Sequence, residues 1–114
     1  MTKTKATFMS GVPELLILSL LAREEMYGYQ LVRAIRVVSN EAFSLAEGVV
    51  YPALHALEEK RLIKAKEREH EGRIRIYYAL TSKGKTRLGE LTSTWARVCG
   101  GVAAVLNGEG VAHG

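Results

Sequence analysis

A mainly α chain carrying one small β-hairpin is the fold class that these 114 residues predict. Three patterns point there. Apolar residues recur at helical spacing in three separate stretches before residue 60, and again over one long stretch after residue 82. Between them, Arg73 to Leu80 reads as a strand of two-residue period, with Ile74, Ile76, Tyr78 and Leu80 on one face and Arg73, Arg75 and Tyr77 on the other. Glu69-His70-Glu71-Gly72 just before it supplies a hairpin tip with the expected glycine. The order is therefore helix, helix, helix, hairpin, long helix.

The elements follow from local signals. Residues 1–11 read as a flexible N-terminal arm, and Ser10-Gly11-Val12-Pro13 as a helix start, with Pro13 suited to the first turn and Glu14 to the positive end of the dipole. The first helix runs to about Ala22. Its run Leu15, Leu16, Leu18, Ser19, Leu20, Leu21 is apolar nearly all round, which in so small a chain implies cover from a partner. After Met26-Tyr27-Gly28-Tyr29 a second helix reaches Val38, with Leu31, Ile35 and Val38 on one stripe and Arg33 and Arg36 opposite. Ser39-Asn40 stops it. Ser44-Leu45-Ala46-Glu47 has capping-box form and starts a third helix that reaches about Lys60. Val50, Leu54 and Leu57 face inward, and Pro52 makes the first turn irregular, so the helix begins properly near Gly48. Leu62 to Arg68 is the first strand of the hairpin, and Ile74, Ile76, Tyr78 and Leu80 form the inward face of the second, with Arg73, Arg75 and Tyr77 on the other side. Thr81 caps a last helix from Ser82 to about Asn107, whose Leu88, Leu91, Trp95, Val98, Val102 and Val105 are spaced three and four apart, the pattern of a seam that meets another helix. Gly100-Gly101 weakens its end, and residues 108–114 form a frayed tail.

Composition narrows the function. Hydrophobic residues make up 47% and charged residues 25%, as in an ordinary globular chain, and the net charge of +4 favours acidic partners such as nucleic acid or an anionic membrane face. A single cysteine, Cys99, forbids an intrachain disulfide; it is expected as an inert, partly buried thiol, and the cytoplasm as the location. The apolar run at residues 15–21 is too short to span a bilayer, so no membrane partner is expected. His55, His70 and His113 fall in different elements, so no metal site is expected. No acid–base pair, nucleophile arrangement or phosphate loop is visible, so an enzyme, a catalytic residue or a cofactor is not expected.

Two helices joined by a short connection and followed at once by a hairpin make a winged helix-turn-helix over residues 12–81, with residues 82–107 as a dimerisation helix. The third helix would enter the major groove of duplex DNA, leaving Ser44, Gly48, Val49, Tyr51, Pro52 and His55 near the bases. Lys64, Lys66, Arg68, Arg73 and Arg75 would lie against phosphates, although Glu67, Glu69 and Glu71 are interleaved with them. The near absence of Arg, Asn and Gln from the third helix predicts limited direct base reading. Leu15, Leu18, Leu88, Leu91, Trp95, Val98 and Val102 are the expected dimer contacts. Trp95, brought near its own copy by a two-fold axis, is also a candidate contact for a flat aromatic or drug-like effector. The rival reading is a winged-helix module that binds protein rather than specific DNA.

Three blocks carry a family resemblance. Gly11-Val12-Pro13-Glu14-Leu15-Leu16-Ile17-Leu18 followed by Met26-Tyr27-Gly28-Tyr29-Gln30-Leu31, then Val50-Tyr51-Pro52-Ala53-Leu54-His55-Ala56-Leu57-Glu58 with Leu62-Ile63, then Tyr77-Tyr78-Ala79-Leu80-Thr81-Ser82-Lys83-Gly84, resemble in order the PadR-like regulators. Val49-Val50 departs from the small polar residue and Leu that often precede the Tyr-Pro pair. The resemblance implies a homodimer built on the terminal helices with wings reaching along DNA, a repressor in most members and ligand-responsive in some. The length suggests the short subgroup with one C-terminal helix.

Overall fold

The computed structural model describes residues 11–108. The expected flexible arm and most of the expected tail lie outside them. The elements are α1 (Val12–Leu21), β1 (Met26–Tyr27), α2 (Gly28–Val38), α3 (Glu47–Glu59), β2 (Ile63–His70), β3 (Arg73–Leu80) and α4 (Ser82–Leu106). The strands form one antiparallel sheet in the order β1-β3-β2. No described helix is long and apolar enough to cross a membrane.

The core lies where α1, α2 and α3 meet the inner face of the sheet. Ile17, Leu18, Leu31, Val50, Leu54 and Ile63 are its most enclosed side chains. Among the described residues the buried side chains are aliphatic or, at Tyr77 and Tyr78, aromatic, so apolar burial dominates the core. The all-apolar α1 is covered mostly by its own chain, since α2, α3, β3 and α4 all pack around it. Leu18, expected at the dimer seam, is fully enclosed in this core and offers no surface to a partner. Val38 is 49% exposed, because α2 ends beyond the edge of the core and only Leu31 and Ile35 of the expected stripe are buried.

Helix boundaries follow the capping chemistry. The Tyr27 amide donates to Gln30 Oε1 at 3.0 Å at the start of α2. Ser44 does not cap α3. The N-cap is Ala46, in extended conformation and without a side-chain bond, and its carbonyl accepts from Val49 N at 2.9 Å and Val50 N at 3.0 Å. Ser44 instead sits in the loop from α2, between Phe43 and Leu45, which are the residues that plug the core there. Asn40 and Glu41 turn that loop through the left-handed region, and the Phe43 amide is anchored by Ser39 Oγ at 3.1 Å. Pro52 is accommodated inside a continuous α3, since the carbonyl it deprives of a donor belongs to exposed Gly48. At the other end of α3, Arg61 adopts φ 63° while Arg61 N bonds Glu58 O and Leu62 N bonds Leu57 O, a Schellman closure made without glycine.

The hairpin is longer and tighter than the sequence predicts. His70 pairs with Arg73, leaving Glu71 and Gly72 alone in the turn, both at positive φ (54° and 78°). That is the geometry of a type I′ turn, whose twist matches paired strands. Ile74 and Ile76 are 71% and 43% exposed, against the expected inward face. The faces alternate as expected, but the distal half of the hairpin projects past the core, which leaves the side that carries Ile74 and Ile76 uncovered. Tyr77, expected on the outer side, is 5% exposed, because Tyr27 and Arg68 roof its ring.

Thr81 caps α4 as expected. Its Oγ1 accepts from Gly84 N at 3.0 Å, and its one hydroxyl proton is shared between the carbonyls of Arg61 at 2.8 Å and Leu62 at 3.0 Å, tying the helix start to the base of the hairpin. The helix then leaves the body, with α1 as its main packing neighbour and Glu14 Oε2 bonded to Arg87 Nε at 3.2 Å. The radius of gyration is 16.8 Å, against about 13 Å for a compact chain of this size, so the projecting elements set the shape.

Candidate nucleic-acid interface

The reading helix, the wing and the long helix each place expected residues differently. On α3, Val50, Leu54 and Leu57 are buried, while Gly48, Val49, Pro52 and His55 share the solvent side. Ser44 is exposed on the loop before it. Tyr51 is half-buried against the start of α2: a Cβ built on Gly28 would lie 2.5 Å from the Tyr51 ring, so only glycine admits this approach. Tyr51 therefore fastens α3 to α2 and offers only its remaining edge to a ligand. Tyr78 lies under the same layer. Burial pushes its phenol above the ordinary 10.0, with the charge of Glu58 and the phenol of Tyr51 adding to the effect.

The wing separates its charges by face. Residues paired across an antiparallel ladder point to the same side, and the register pairs Lys64 with Ala79, Lys66 with Tyr77, Arg68 with Arg75, and His70 with Arg73. One face thus carries Lys64, Lys66, Arg68, Arg73 and Arg75 together. The carboxylates of Glu67 and Glu69 oppose Ile76 and Ile74 on the reverse face. Their interleaving in sequence does not dilute the cationic face, since the two-residue period puts them on opposite sides.

That face is also ordered by aromatic rings. The Arg68 guanidinium lies 4.3 Å from the Tyr77 ring centroid and that of Arg75 lies 4.4 Å from the Tyr27 centroid. The two rings meet edge to face at 5.3 Å. Stacking of this kind holds flat, always-charged guanidinium groups in place without neutralising them. Lys66 and Arg68 are paired with Glu25, whereas Lys64, Arg73 and Arg75 have no carboxylate within ion-pairing distance among the described residues. Glu25, which helps shape this face, carries no signal in the sequence, and Tyr27 shows there only within the Met26-Tyr27-Gly28-Tyr29 block and not as a residue of the wing. The short β1 that holds Tyr27 has too few residues to show a period, and Glu25 is brought to the wing only by tertiary folding.

Along α4, Leu88 and Leu91 are half-buried against the core, while Trp95, Val98, Val102, Val105 and Leu106 are exposed. An apolar groove of about 590 Å³ runs between α1 and α4, lined by Val12, Leu15, Leu91, Trp95, Val98 and Val102 among others. Cys99, expected partly buried, is exposed at this groove. It lies beyond the stretch of α4 that its own chain covers.

Comparison with known proteins agrees with this architecture. Residues 17–90 match the model of the family described as the transcriptional regulator PadR-like family. The transcriptional regulator YqjI of Escherichia coli is 37% identical over 83 residues, which is 73% of this chain and 39% of that protein. Among solved structures, a PadR-like transcriptional regulator from Bacillus cereus superimposes with a TM-score of 0.80 at 32% identity, covering 90% of this chain and 99% of that one. Bacillus subtilis PadR, solved in complex with operator DNA, shares the fold at a TM-score of 0.65 and 24% identity, over 74% of this chain and 48% of its own. The family match over most of the chain, joined to a helix-turn-helix with a cationic wing, places this protein in the PadR-like family of transcriptional regulators.

Proposed function

We propose that the chain regulates transcription as a homodimer that reads an inverted-repeat operator, acting in the cytoplasm as a repressor without enzymatic activity. The solvent side of α3, with Gly48, Val49, Pro52 and His55, enters the major groove. Lys64, Arg73 and Arg75 meet phosphates, and Lys66 joins them. The observation that carries this reading is the sorting of the wing cations onto one face by the β2–β3 register. A face that gathers Lys64, Lys66, Arg68, Arg73 and Arg75 and sends Glu67 and Glu69 to the reverse side keeps an excess of positive charge even with Glu25 paired to Lys66 and Arg68, which suits a polyanion.

The groove between α1 and α4 supports the dimer half of the reading. Trp95, Val98 and Val102 are about half exposed, so covering the rest of each is worth half of the ~1.5–3 kcal/mol of a full burial, and a two-fold contact would cover them in both copies. Leu15, Leu88 and Leu91 continue the same surface toward the core. Trp95, 45% exposed at this groove, is the contact offered to a flat aromatic effector. An effector bound there would act by favouring one spacing of the two reading helices over another.

Replacing Arg73 and Arg75 with Ala tests the wing. Binding to every duplex should weaken, and the dependence of log K on log salt should flatten by about 0.9 for each phosphate that is no longer neutralised. A slope equal to wild type would remove the wing from the interface.

A further inference from the structure

Glu25 lies in the turn between α1 and β1 and reaches the cationic wing face from there. Its two carboxylate oxygens are taken by two neighbouring cations of the wing face. Oε2 meets Lys66 Nζ at 2.7 Å and Oε1 meets Arg68 Nη1 at 2.7 Å. The Lys66 bond first, and the Arg68 bond and charge beside it, hold the Glu25 carboxyl below the usual carboxylate range, so it is an anion at neutral pH. The fork is selective. Of the cations on this face, the two nearest the body along β2 beyond Lys64 are engaged, while Lys64, Arg73 and Arg75 keep their charge uncompensated among the described residues.

We propose that Glu25 is a phosphate surrogate built into the fold: it occupies Lys66 and Arg68 in the free protein and competes for them with the DNA backbone. The proposal rests on the reading that the wing face meets phosphates. A carboxylate presents two acceptor oxygens to cations much as a phosphate does. A cation that leaves Glu25 for a phosphate frees a counterion from DNA but exposes a carboxylate that recruits one, so the net gain shrinks. The loss falls on any duplex whose phosphates use Lys66 and Arg68. Glu25 thereby holds down the phosphate-driven affinity and leaves a larger share of binding to the base contacts of α3.

The test measures binding of the full-length protein to a labelled duplex of arbitrary sequence by fluorescence anisotropy across a potassium chloride series. The proteins compared are wild type, Glu25→Gln, Glu25→Ala, Glu25→Gln combined with Lys66→Gln and Arg68→Gln, and the Arg73→Ala, Arg75→Ala pair. Circular-dichroism melts check that each is folded. Both Glu25 variants should bind more tightly, by roughly tenfold at low salt, with a slope steeper by up to about 1.8 for two released cations. The added Lys66 and Arg68 replacements should return affinity and slope to wild type or below. A merely structural Glu25 gives the opposite sign, because a wing that has lost its brace binds less well. If the Glu25 variants bind as wild type or more weakly while the Arg73, Arg75 pair flattens the slope, the surrogate is refuted and the wing reading stands. If that pair leaves the slope unchanged, the wing reading fails and the surrogate falls with it.

Discussion

Gly84 is the third residue of α4, and replacing it with alanine tests how the long helix is joined to the wing. A Cβ there would stand 2.1 Å from the Leu62 carbonyl oxygen and 2.7 Å from Leu80 Cδ1, where ordinary contact begins at 3.4 Å. Backbone must therefore move, and it is the backbone that matters at this joint. The same Leu62 carbonyl accepts the Thr81 amide at 3.1 Å and the Thr81 hydroxyl at 3.0 Å. Overpacking of this kind costs about 1–3 kcal/mol, and disturbing the Thr81 cap about 1 kcal/mol more. The helix preference of alanine over glycine returns about 1 kcal/mol. The net expectation for Gly84→Ala is a loss of about 1–3 kcal/mol. Gly89 is the internal control: it lies on the same helix, and a Cβ there meets nothing within 4 Å. Gly89→Ala should therefore gain up to about 1 kcal/mol. At about 4 °C per kcal/mol for a chain of this size, the two variants should melt on opposite sides of wild type. Far-ultraviolet circular dichroism at one fixed protein concentration is the assay, since self-association adds its own stability. A Gly84→Ala protein that melts at or above wild type would refute the close docking of α4 on Leu62.

Other predictions concern the remaining surfaces. Gly28→Ala should destabilise the α2–α3 junction by about 1–3 kcal/mol and weaken operator binding, because its Cβ would lie 2.5 Å from Tyr51; unchanged melting and unchanged binding would mean Tyr51 does not lock the two helices. Changing Leu91 and Val98 to Asp should leave monomers by light scattering, and a surviving dimer would move the seam elsewhere. An aromatic effector that enters the groove should quench Trp95 fluorescence in proportion to its loss of operator binding, and silence across a broad aromatic panel would leave Trp95 as seam alone. Tyr78 adds a pH dependence. Below its ordinary 10.0 the phenol is neutral folded or unfolded and contributes none. Above it the unfolded chain ionises first, so stability is lost as pH rises through the higher folded value. Tyr78→Phe should flatten that alkaline limb in melting curves, and an unchanged limb would place its cause elsewhere.

The legible parts of the fold are those set by local patterns. The period of α2 and of α3, the alternation of β3 and the Thr81 cap each act within a few residues, and each places its element. Ser44 misleads because Ser with Glu three residues on is also a legitimate loop sequence; what decides is Phe43 and Leu45 seeking the core, which draws the loop past Ser44 and starts α3 at Glu47. Ile74 and Ile76 mislead because alternation reports which face a residue is on and not whether anything covers that face. Leu18 and the other apolar residues of α1 carry no mark that distinguishes cover by the same chain from cover by a partner. At the interface, the cations are visible but their sorting is not, since Glu67 and Glu69 separate from them only once the β2–β3 register is known. The Glu25 fork joins residues 43 apart in the chain and leaves no local signal at all.

Selection of bound sequences from a random duplex pool, with purified protein at physiological salt, tests the central claim most directly. A homodimer that seats one α3 in each of two major grooves should recover an inverted repeat with half-sites about one helical turn (~34 Å) or a multiple of it apart. A pool that stays random, bound only weakly and released by modest salt, would contradict sequence-specific regulation by this fold and leave a winged helix that recognises protein instead.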